Sequence, residues 1–180
     1  MDRDVILKYV YYGITIVSVV VVGLSIKYLL GGYEEINIVE GGSVEHTIAG
    51  KFLRGKDLEE DREAIRQTSR EELAKGRLKG QLASIYYYPD TLQAGEEIQF
   101  VGIAFEGSIV TLPAGFEVLE LEANSSLSTL LTMNSIFRPR SIDVWGNMVD
   151  YANTNQFFIE NWLLELEVGQ DSLRYVTFGG

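Results

Sequence analysis

The sequence predicts an α+β domain built from two strand–helix–strand–strand units. They form a curved antiparallel sheet with helices on one face, preceded by one transmembrane helix. Two observations carry this expectation. Eighteen uncharged residues, Tyr9 to Ile26, stand between Lys8 and Lys27 near the N-terminus. After them, the same order of extended, helical, extended and extended signals occurs twice.

The apolar run reaches outward to Val5-Ile6-Leu7 and to Leu29-Leu30 and includes four consecutive valines, Val19 to Val22. A helix of about 20 residues spans a hydrocarbon core of roughly 30 Å. Lys8 and Lys27 are placed to extend their ammonium groups to the two interfaces, and Tyr9, Tyr11, Tyr12 and Tyr28 sit where interfacial aromatics are favoured. A cleaved signal peptide fits less well, because the run exceeds the usual ~7–15 apolar residues and no A-x-A-like site follows. The expected partner of this segment is therefore a lipid bilayer. Arg3 and Lys8 precede the helix and only Lys27 follows it closely, which leans towards N-terminus inside and domain outside.

Gly31-Gly32 reads as a hinge, dividing an anchor over 1–32 from a soluble domain over 33–180. The chain carries a net charge of −11, and residues 1–32 hold three basic and two acidic side chains, so the excess of acid lies in the domain. Such a surface repels phosphates, and no basic stripe with interleaved aromatics occurs; nucleic acid is not an expected partner. There is no Cys and a single His, His46. A disulfide framework and a thiolate or His-rich metal site are excluded, and one imidazole makes a Ser–His–Asp relay improbable. Neither G-x-x-x-x-G-K-[ST] nor G-x-G-x-x-G is present, and no cofactor is expected.

In the first unit, Tyr33 to Arg54 reads as extended, with Ile36, Ile38, Val44, Ile48 and Phe52 separated by polar residues. Asp57 to Leu78 is charged and free of Pro, and reads as a mostly exposed helix with both signs on a solvated face. Ala83 to Tyr88 and Glu97 to Phe105 read as strands, the first ending at Pro89-Asp90. In the second unit, Phe116 to Met133 is extended, and a slip in the apolar period at Val118-Leu119 predicts a kink or bulge. Pro139 and Ser141 mark a helix start, with Ser141 as N-cap and Asp143 in the first turn. Ile142, Trp145, Met148, Val149 and Ala152 form one apolar stripe. Trp162 to Val168 and Leu173 to Phe178 are the closing strands, joined at Gly169-Gln170-Asp171. Two such units pair into a curved sheet, with a central cleft expected on the face opposite the helices.

The order of elements and the stretches AGKFLRGK, SIYYYPD, IQFVGIAFE and LPAGFEVLELEANSSLSTLL resemble the GyrI-like small-molecule-binding (effector-binding) family, over about Glu35 to Phe178. A membrane helix directly before such a domain also resembles the layout of animal endoplasmic-reticulum autophagy receptors. The chain stops at Gly180 without a tail for an interaction motif, so that role is not implied. Nor is a regulator's role, since no DNA-binding segment is present. The resemblance implies that Tyr86 and Tyr88, in the family's Tyr-rich strand, line a cleft, and that Trp145 is the aromatic of the second helix. Pro113-Ala114-Gly115 matches the family's turn before the second-half strand. The penultimate strand, WLLELEV, corresponds to the strand bearing the family's pocket carboxylate, so that Glu165 or Glu167 is the match; the Tyr that follows it in the family is missing here.

Residues two apart on a strand share a face, so Glu165 and Glu167 are presented together. With Trp162, Leu164, Leu166 and Val168 on the other face, they either face solvent or face a cleft. In a cleft, two desolvated carboxylates favour a cation, and loss of either charge is expected to weaken such a ligand and leave the fold intact. Three function classes follow. The first is a binding module for an unidentified small, aromatic or cationic molecule. The second is a membrane-held adaptor with a protein partner, for which the tether is the main argument. The third is a hydrolase of an electrophilic small molecule using a carboxylate and a Tyr.

Overall fold

The structure is a computed structural model that describes residues 3–29, 36–105, 107, 111–134, 136 and 138–179. The hinge Gly31-Gly32 and the start of the domain at Tyr33 lie outside these residues. Helix α1 spans Arg3–Leu29. Within it, Lys8–Ile26 is long and apolar enough to cross a membrane, and none of that window is buried. The hydroxyls of Thr15 and Ser25 donate to the carbonyls of Tyr11 and Val21, one turn back, at 2.9 and 2.8 Å. These side chains are thereby satisfied without water.

The domain follows this helix along the chain. Its elements are β1 (Val39–Gly41), β2 (Val44–Gly55), α2 (Glu59–Ala74), β3 (Gly80–Tyr87), β4 (Glu97–Phe105), β5 (Glu117–Ala123), β6 (Ser125–Thr132), α3 (Ser141–Asn155), β7 (Trp162–Gly169) and β8 (Ser172–Gly179). The strands form one sheet in the order β1-β6-β8-β7-β3-β4-β2-β5. Each half contributes the order strand one, last strand, middle strand, and the halves meet at the antiparallel pair of β3 and β7. The duplication expected from the order of elements is therefore visible in the sheet.

The outer edges are joined as well. β1 runs into β2 through Gly42-Ser43, and β5 runs into β6 through Asn124. Val39 faces Ser128 and Gly50 faces Glu117, with each step forward along one run matched by one step back along the other. Two bent runs thus pair along their length and curl the sheet into a half-barrel. The bend in the second run is at Asn124, not at Val118-Leu119. From Leu119 onward, partly buried and exposed residues alternate without a slip.

The two faces hold two apolar clusters. On the inner face, Ile85 stands between Phe100 and Leu164, and Leu164 stands beside Val176, all buried. Trp162, Phe178, Ile48 and Ala104 extend this row, and Val44, Leu119 and Leu121 from the bent strands cover it. Fully burying each large side chain stabilises by about 1.5–3 kcal/mol. The inner face is filled, so the expected cleft opposite the helices is not where the sequence put it. On the outer face, Val101, Ile103 and Phe105 meet Ile65 of α2, with Leu78 and Phe116 beside them.

Both helices differ in detail from expectation. α2 ends at Ala74, and its buried positions are Ile65, Ser69 and Glu72. In α3, Arg140 is the N-cap and Ser141 the first helical residue, so Ser141 does not cap. Val144, Trp145, Met148 and Ala152 are buried, whereas Ile142 is exposed.

Candidate functional site

Side chains alternate along β3, so Ser84 and Tyr86 project towards the helices, and Tyr88, just past the strand, meets Trp145 of α3. In register with them stand Gln99 of β4, beside Tyr86, and Glu165 of β7, beside Ser84. A cavity of about 760 Å³ opens on this face. Its walls come from both halves of the domain: Tyr86 and Tyr87 at the end of β3 and Tyr88 just after it, Glu96 to Gln99 at the start of β4, Arg62 of α2, and Arg140 to Ile142 at the start of α3. Trp145 does not line it. Its ring stacks on Tyr88 at 5.1 Å between centroids and 16° between planes, supporting that tyrosine from behind.

Glu165 and Glu167 do not line it either. Both meet Arg66, which crosses from α2 to the sheet. Arg66 Nη2 lies 2.7 Å from Glu165 Oε1 and 3.1 Å from Ser84 Oγ, and Nη1 lies 3.4 Å from Glu167 Oε1. Glu165 is buried and Glu167 partly so. Burial works against the guanidinium's charge, but Glu165 first, then Tyr86 and Glu167, hold its pKa above the usual arginine value. The cation that a pair of carboxylates would draw is thus supplied by the chain itself. At the mouth the charges are also paired: Arg62 with Glu59, Arg140 with Asp143, and Glu96 with Arg54.

Arg62, Arg66, Gln99 and Arg140 escaped the sequence reading. The buried side of α2 carries Ser69 and Glu72 beside Ile65, which removes the apolar periodicity that would have separated its inner arginines from its outer ones. For Gln99 the signal was available, since it is the one polar residue inside the apolar run of β4.

The tyrosines are neutral. Burial pushes Tyr87 and Tyr88 up to about 12, with the charge of Glu165 adding to the effect at Tyr88 and the Ser141 hydroxyl opposing it. Burial and then Glu165 push Tyr86 higher still, against Arg66 and Arg62. Unfolded tyrosine titrates near ~10. The folded form holds its protons more tightly, so this stability is fully present below pH ~10 and is lost as pH rises towards ~12. Thermal melts should be flat from pH ~7 to ~9 and fall above ~10, more gently in Tyr86→Phe.

No protein-family model and no curated protein sequence matches the chain. Solved structures do. The EcmrR–DNA complex in an EcmrR-RPo assembly, determined by cryo-EM, matches over 98% of this chain and 69% of that one, with a TM-score of 0.58 and 10% identity. The EcmrR C-terminal domain matches over 80% of this chain and 96% of its own, with a TM-score of 0.53 and 8% identity. An uncharacterized conserved protein from Listeria innocua covers 82% of this chain and 94% of its own, with a TM-score of 0.51 and 8% identity. The likeness is one of fold, shared with the C-terminal domain of EcmrR.

Proposed function

We propose that this chain is a membrane-tethered small-molecule-binding module, with an aromatic ligand held in the cavity between α2 and α3. The observation that carries this reading is the cavity itself: about 760 Å³, within the range of small-molecule sites, with three consecutive tyrosines on one wall. Tyr86 and Tyr88 are the contact residues, Trp145 fixes the ring of Tyr88, and Glu165 and Glu167 are engaged by Arg66 outside the cavity lining. A cationic ligand gains from the two carboxylates only by displacing Arg66, which favours the aromatic component of recognition over the cationic one. In this reading Tyr88→Ala weakens an aromatic ligand about three- to tenfold, the loss of one ring contact and of its stacking partner. Tyr88→Phe keeps most of the affinity. Equilibrium dialysis of the three proteins against a panel of planar aromatics checks this; equal affinity in Tyr88→Ala would remove the site.

The tether rests on α1. A helix with a wholly exposed apolar window in water is disfavoured by its unburied surface, and a bilayer removes that cost. The margin of basic residues on the N-terminal side favours the N-terminus inside and the domain outside. Full-length protein is expected to pellet with membranes and to resist alkaline carbonate. Release into the supernatant would exclude a spanning helix.

A further inference from the structure

Gln99 and Tyr86 are cross-strand partners, and both line the cavity. Gln99 is only 1% exposed. Its Nε2 donates to Glu97 Oε2 at 2.5 Å, which fixes the oxygen end of the amide, since the opposite orientation would set oxygen against oxygen. That oxygen, Oε1, is buried and has no hydrogen-bond partner. Buried acceptors are rarely left unpaired in folded proteins, and an unpaired one in a cavity wall points to a donor arriving from outside the chain. Neither arginine of the cavity donates to it: the hydrogen bonds of Arg62 go to Glu59 and those of Arg140 to Asp143.

We propose that Gln99 is the specificity-determining residue of the cavity, its Oε1 accepting a hydrogen bond from an N–H or O–H group of the ligand. The ligand class is then an aromatic molecule with a donor on its ring edge, such as a phenol, an arylamine or an anilide. The tyrosine hydroxyls both donate and accept, so they discriminate little between donors and acceptors. An amide oxygen only accepts, and it penalises a ligand that presents an ether or a methyl group at that point, because the oxygen is then sealed off unpaired. This inference rests on the cavity being the ligand site and adds to it what the ligand must carry.

The test uses the full chain in lipid nanodiscs, with empty nanodiscs as blank, and two probes: 2-naphthol and its O-methyl ether, 2-methoxynaphthalene. The wild type is expected to bind 2-naphthol at least about tenfold more tightly than the ether. In Gln99→Leu the preference should collapse to within about twofold, through loss of 2-naphthol affinity, with little change in melting temperature because removal of the unpaired oxygen offsets loss of the hydrogen bond to Glu97. Gln99→Met, close in volume and without the acceptor, should behave alike and stands in if the leucine variant fails to fold. Equal affinity for both probes in the wild type, or a preference retained in the variants, would overturn the role of Gln99 and leave the cavity as ligand site. Binding of neither probe by the wild type would overturn the ligand site and this inference with it.

Discussion

Glu165→Gln is expected to destabilise the domain by about 2–4 kcal/mol, the cost of leaving a largely buried guanidinium short of its main counter-charge. The side chains of Arg66 and Glu165 are 18% and 9% exposed, so solvent screens the pair poorly. Glu167, 3.4 Å from the same guanidinium, softens the loss but lies too far to replace a 2.7 Å contact. For a domain of this size the melting temperature should fall by roughly 5–10 °C. Arg66→Met combined with Glu165→Leu should recover most of the loss, because removing both charges leaves neither stranded. Urea unfolding of the wild type, Arg66→Met, Glu165→Leu and the double variant separates the pair's coupling from the packing of its parts. A Glu165→Gln variant within about 0.5 kcal/mol of wild type would show that the ion pair carries no weight. The sequence alone pointed to a fold indifferent to this change; Arg66 is the reason it should not be.

Gly102→Val should be more damaging, costing roughly 3–5 kcal/mol and leaving little folded protein. Gly102 of β4 faces Gly50 of β2 in the ladder that joins strand one to the last strand of its half. A Cβ on Gly102 would stand 1.9 Å from the carbonyl oxygen of Ala49 and 2.5 Å from the Cα of Gly50. A Cβ on Gly50 would stand 2.3 Å from the carbonyl oxygen of Val101. Both obstacles are backbone, which yields only if the two strands separate, and the buried residues Ile48, Ala49, Phe100 and Val101 are adjacent. Soluble expression and far-UV circular dichroism read the outcome. A folded Gly102→Val protein with unchanged stability would mean that the strands pair less closely than described.

The fold was legible because its signals are local and repeated. The strands Glu97–Phe105 and Trp162–Gly169 announce themselves by largely apolar runs, interrupted by Gln99 in the one and by Glu165 and Glu167 in the other, and the two helices fall between strands in the same order twice. The exchange of strand beginnings between the halves was not legible, since nothing in Val39–Gly41 says that its partner is Ser126 to Ser128. Pairing between residues so distant in sequence leaves no periodic trace. At the site, the tyrosines and glutamates stood out because their neighbours resemble a known pattern. Their surroundings did not. Arg66 is one of many charges on a charged helix, and only the approach of α2 to β7 turns it into the partner of Glu165. The same approach decides that the carboxylates meet a guanidinium before any ligand.

The central claim, an aromatic ligand seated against Tyr88, is tested most directly by the fluorescence of Trp145. Trp162→Phe leaves Trp145 as the sole tryptophan, and its ring lies 5.1 Å from that of Tyr88, behind the cavity wall. Titrating this variant, in the full chain, with planar aromatic compounds should give a saturable change in Trp145 emission for at least one of them, and the added substitution Tyr88→Ala should abolish or weaken it. A folded Trp162→Phe protein whose Trp145 emission stays constant across the whole series would contradict the account.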